Sequence, residues 1–152
     1  MHWGGFWIRQ DGRLVEAPAA DVELLKGYPS AEDKGPVQEG ERTTILTAHR
    51  RYQVGEPIRV LHVLEVLEPG CPVFIMGPKP VCDEYVDGSL ATPPCPPDEE
   101  YDGAVLTSPE IDYNYEITTY TFARPGSHTI QWCPKGRCSN VIRVEIVPAS
   151  QE

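Results

Sequence analysis

The hydrophobic pattern is clearest over residues 113–148, where period-two alternation predicts three consecutive strands joined by two turns. Tyr113, Tyr115, Ile117, Thr119 and Thr121 alternate with Asn114, Glu116, Thr118, Tyr120 and Phe122 before Arg124-Pro125-Gly126 breaks the run. His128, Ile130 and Trp132 mark one face of the second strand, and Ile142, Val144 and Ile146 one face of the third. Upstream, residues 43–48 and 72–76 read as strands. Residues 58–67 read as a longer one, apolar on both faces apart from Arg59, His62 and Glu65, as expected in the middle of a sheet covered on both sides.

Before residue 41 the pattern changes. Residues 6–15 predict a hairpin turning at Asp11-Gly12, a pair suited to positive φ. Residues 20–28 predict a short helix with Asp21 as its cap and Gly27 at its end. Residues 29–40 are polar and turn-rich and read as a linker. Between residues 77 and 109 regular alternation fails in a run of prolines, two cysteines and clustered acids, which reads as a structured excursion rather than a sheet segment.

A strand, a tyrosine, a Gly-Glu turn and a second strand over residues 43–67, followed by Phe122-x-x-Pro125-Gly126-Ser127-x-Thr129-Ile130, Ser139-Asn140 and a closing β-run to residue 147, resemble bacterial immunoglobulin-like modules. That resemblance implies an all-β chain, an immunoglobulin-like antiparallel β-sandwich over residues 41–148. It carries a long Pro-rich, Cys-containing insertion at 77–112 and an N-terminal extension over 1–40. Such modules serve as spacers, adhesins, inhibitors and enzyme accessories alike, so the resemblance bears on fold and leaves role open.

Composition agrees with short strands and long loops: 16 prolines and 13 glycines in 152 residues, with 40% hydrophobic positions. A net charge of -10 disfavours nucleic acid and anionic membrane surfaces as partners and suits a basic partner, a cation or simple solubility. No run is long and apolar enough for a transmembrane span. Five cysteines, none in CxxC spacing, point to an oxidising, extracytoplasmic setting, periplasmic, secreted or surface-attached, with any export signal removed.

Four residues separate Cys133 from Cys138, a spacing suited to a disulfide across a hairpin. Cys82 and Cys95 can close the Pro-rich loop and leave Cys71 over; equally, Cys71 can bridge Cys82 and leave Cys95. Ten acids and no lysine or arginine lie between residues 81 and 116. Among them Asp98, Glu99, Glu100 and Asp102 have the composition of a calcium loop without its spacing, and calcium is the one cofactor the chain suggests. His62 and His128 fall on predicted strands and are expected to be ordinary packing or surface residues; approaching each other with Glu65 or a cysteine, they would make a metal site. No motif of hydrolase, metalloprotease or phosphate-binding chemistry is present.

The expected role is therefore a non-catalytic protein-binding or structural accessory module, a subunit of a larger exported or membrane-associated assembly. Its contacts are expected at Trp3, Phe6 and Trp7, where an aromatic cluster suits a protein partner or a membrane interface. Further contacts are expected at Asp98, Glu99, Glu100 and Tyr101 of the excursion, and at Lys135 and Arg137 of the disulfide loop. A calcium- or small-ligand-binding domain and a protease-inhibitor-like module are the alternatives.

Overall fold

The computed structural model describes residues 7–11, 13–75, 78–93 and 104–149. In chain order they form β1 (Trp7–Gln10), β2 (Arg13–Glu16), the helix α1 (Ala19–Lys26), β3 (Glu41–Leu46), β4 (Arg51–Gln53), β5 (Ile58–Val66) and β6 (Pro72–Ile75). There follow β7 (Glu84–Val86), β8 (Ser89–Leu90), β9 (Ala104–Thr107), β10 (Glu110–Asp112), β11 (Thr118–Tyr120), β12 (Gly126–Trp132) and β13 (Ile142–Val147). The described residues form an all-β fold with one two-turn α-helix.

Strand β5 is the hub of the first sheet, pairing antiparallel with β3, β10 and β11. The second sheet runs β4-β13-β12-β7-β8, parallel at β4-β13 and antiparallel elsewhere. Ile45, Ile58 and Val60 from the first sheet share a core with Ile130, Trp132, Ile142, Val144 and Ile146 from the second, so the two sheets bury one face of each against the other. The opposite face of β5 presents Leu61 and Val63 to a second apolar layer of Ala17, Leu25 and Tyr28, with Ile8, Val22 and Leu24 packed alongside. Burial on both sides is why β5 lacks a polar face: its two charged residues pointing at the N-terminal layer, Arg59 and Glu65, meet Asp21 and Tyr28 there.

Several expectations need correction. Residues 113–122 do not form one strand beside β12; only Thr118–Tyr120 is a strand, and it pairs with β5. Tyrosine and threonine on both faces do not specify which face is buried, so alternation alone leaves register weakly determined. The preceding stretch instead pairs locally with Lys79, whose amide donates to the Asn114 carbonyl and whose carbonyl accepts from the Glu116 amide. Residues 77–109 are not free of sheet structure: β7 is an inner strand of the second sheet, turned into β8 by Asp87-Gly88 at φ 51° and 79°. Nor is Asp21 the cap of α1, whose N-cap is Pro18 without a side-chain bond. It is buried against the Arg59 guanidinium, an attraction that outweighs capping an exposed helix end.

Residues 29–40 pack rather than link. The Gly35 amide donates to Thr44 Oγ1 at 3.0 Å, and a Cβ at Gly35 would stand 1.8 Å from the Thr43 carbonyl oxygen, so only glycine lets the backbone approach β3 this closely. Asn140 closes β3 from the other sheet's side: its Oδ1 accepts from the Ile45 amide at 2.8 Å and its Nδ2 donates to the Ile45 carbonyl at 3.2 Å. One side chain thus supplies what a neighbouring strand would, and edge pairing with another chain is blocked there.

Candidate functional site

Among the described residues, three places concentrate polar chemistry or exposed apolar surface. The first lies between the sheets. Strand β7 turns Glu84 inward, where His62 of β5 meets it with Nε2 at 2.5 Å from Oε2; both side chains are fully enclosed. Thr118 Oγ1 and the Tyr120 hydroxyl of β11 donate to Oε1, each at 2.5 Å. Burial alone pushes the Glu84 carboxyl up, but the charge and hydrogen bond of His62, joined by the two hydroxyls, outweigh it and hold the carboxyl below its usual range. Because a carboxylate only accepts, Nε2 carries the proton, and the buried Nδ1 has no hydrogen-bond partner among the described residues. The imidazole stands edge-on to Trp132, ring centres 4.9 Å apart, and the Trp132 indole N–H donates to the Cys82 carbonyl at 3.0 Å. This arrangement ties β5, β7 and β11 together.

The second place is the outer surface of the second sheet. Tyr85 and Gln131 are cross-strand partners there, and beyond them rises the loop closed by the Cys133–Cys138 disulfide. Together with Asp83 and Gly88 they line a shallow concavity of about 550 Å³. Lys135 stands exposed at the loop apex with φ 52°. Arg137 is held internally: its guanidinium reaches Glu39 at 2.5 Å and also Glu41, and Thr43 Oγ1 donates to its carbonyl. Among the described residues its acidic partners are therefore Glu39, just before β3, and Glu41, at its start.

The third is the N-terminal hairpin. Its register sets Trp7 opposite Glu16 and Ile8 opposite Val15, so Ile8 enters the second apolar layer while Trp7 and Leu14 remain 46% and 54% exposed on the other face. Trp3, Phe6, Asp98, Glu99, Glu100, Tyr101, Asp102 and Cys95 lie outside the described residues. Cys82 is disulfide-bonded, to a partner that also lies outside them, and Cys71 is free.

Several acids expected in a solvated loop have partners within the chain: Glu84 meets His62, Asp112 meets Lys79 and Asp87 meets His128. The histidines serve separate contacts, and His62 meets Glu84 rather than Glu65, which is taken by Arg42 and Tyr28. Among the described residues no group of three or more metal-ligating side chains comes together. Sequence reading missed Glu84 as a buried residue. The only local signal was its place in Glu-Tyr-Val ahead of the Asp87-Gly88 turn.

No helix among the described residues is long and apolar enough to cross a membrane. Compared with known proteins, the chain matches no family model, no curated protein and no solved structure.

Proposed function

We propose that this chain is a non-catalytic accessory module of the immunoglobulin-like sandwich type, which binds another protein through its N-terminal hairpin in an oxidising, extracytoplasmic assembly. The observation that carries the reading is the two-faced hairpin: Ile8 is fastened to the second apolar layer while Trp7 and Leu14 are held outward. A tryptophan and a leucine presented on a backed hairpin lose little freedom on docking, which favours association. The disulfides at Cys133–Cys138 and at Cys82 support the oxidising setting. The non-catalytic part rests on the absence from the sequence of a hydrolase, metalloprotease or phosphate-binding motif, and is supported by the enclosure of the His62–Glu84 pair at 0% side-chain exposure for both.

The test is cross-linking and native purification from the source organism with a Trp7→Ser, Leu14→Ser variant beside the wild type. Loss of the co-purifying protein at an unchanged melting temperature is the expected result. Retention of that protein at the wild-type level would show that the hairpin is not the contact.

A further inference from the structure

His128 sits where three segments meet, and both of its ring nitrogens face acceptors. Nδ1 lies 2.7 Å from Asp87 Oδ2 in the β7-β8 turn, and Nε2 lies 2.9 Å from the Arg124 carbonyl in the β11-β12 connection. A neutral imidazole carries one N–H and can satisfy only one of these; the imidazolium satisfies both. The ring is stacked on Phe122, centres 4.2 Å apart, so it cannot swing away without uncovering a core residue. Asp87 is engaged a second time, accepting from the Thr129 amide at 2.9 Å through Oδ1 while its own amide donates to the Thr129 carbonyl.

From this double-acceptor geometry we infer that His128 is a proton-operated latch on the β7-β8 hairpin: charged, it donates to both acceptors and holds the Asp87 carboxylate as an ion pair, and on losing its proton it gives up one of the two bonds together with the charge that strengthens its contact with Asp87. Gly88 and Tyr85 of that hairpin form one wall of the concavity on the second sheet, so the latch sets how firmly the wall is held. The charged groups facing the ring are Asp87 from the turn and Glu145 from β13; Arg124 contributes its carbonyl. The hydrogen bond that His128 donates to Asp87 is the largest influence, partial burial opposes it, and the Arg124 carbonyl and the two carboxylates add to it, so the His128 pKa lies above its ordinary value. The clamp is therefore complete in acid and weakens as pH rises through the folded-state pKa, the direction required when the folded pKa is raised.

The experiment is an NMR titration of the full chain with amide hydrogen exchange expressed as protection relative to the unstructured rate. The amides followed are those of Asp87 and Thr129, with Val144 of the β12-β13 ladder as control. The expected result is a His128 midpoint above that of an ordinary histidine, with Asp87 and Thr129 protection falling about two- to ten-fold across it, as suits one lost hydrogen bond, while Val144 does not change. In His128→Gln, which has no titrating group and carries both of its N–H donors on one nitrogen, protection should already be low in acid and independent of pH. In Asp87→Asn the His128 midpoint should fall. Constant protection through the titration, or the same pH dependence in His128→Gln, would overturn the latch.

Discussion

Replacing His62 with leucine tests the buried pair most directly. Both partners are fully enclosed, so His62→Leu leaves the Glu84 carboxylate in the core with only the Thr118 and Tyr120 hydroxyls. Breaking a buried pair by removing one member costs about 3–5 kcal/mol. For a chain of this size that lowers the melting temperature by roughly 6–20 °C. Urea unfolding followed by circular dichroism at neutral pH measures the loss. The pH dependence supplies a sign. In the wild type the Glu84 pKa is depressed, so its contribution is present above the unfolded carboxylate value and is lost as pH falls through the folded one. In His62→Leu the stranded carboxylate prefers its protonated form, so the deficit should shrink on acidification. Adding Glu84→Leu removes the buried charge, and the double-mutant cycle should show a coupling energy of about 2–3 kcal/mol. If the two single effects instead add to within about 0.5 kcal/mol, or if His62→Leu is as stable as wild type at neutral pH, the pair does not hold the sheets together as argued.

Three further outcomes follow from the same geometry. Gly35→Ala places a methyl group on the Thr43 carbonyl and should cost about 1–3 kcal/mol or more, read as a lower urea midpoint. Asn140→Ala strips the Ile45 amide and carbonyl of their partner and should cost about 1–3 kcal/mol, with faster exchange of the Ile45 amide. Cys133→Ser together with Cys138→Ser opens a short loop and should cost about 2 kcal/mol in chain entropy, with the rest of the fold unchanged in circular dichroism.

What was legible in the chain was local. Alternation identified β12, β13 and the doubly covered β5, because each strand carries its own record of which faces are apolar. The Asp11-Gly12 signal located the N-terminal hairpin, and the close spacing of Cys133 and Cys138 pointed to their bridge. The same Asp-Gly signal at residues 87 and 88 passed unread inside a stretch whose prolines and acids suggested loop. Tyr113–Ile117 misled in the opposite sense, with the right alternation and the wrong pairing.

The tertiary structure decided the rest, and the physical reason is common to all of it. A charged residue reads as surface until a distant segment brings its counterpart, as His62 does for Glu84 over 22 positions, Arg59 for Asp21 over 38 and His128 for Asp87 over 41. Periodicity reports how a strand is divided between two faces; it does not report which strand lies beside it or across the core. By itself the sequence determined that the chain would be built of short strands around a two-faced β5. The three-dimensional pairing decided that a stretch resembling an acidic loop would contribute the inner strand β7, and that one of its acids would be buried where the two sheets meet.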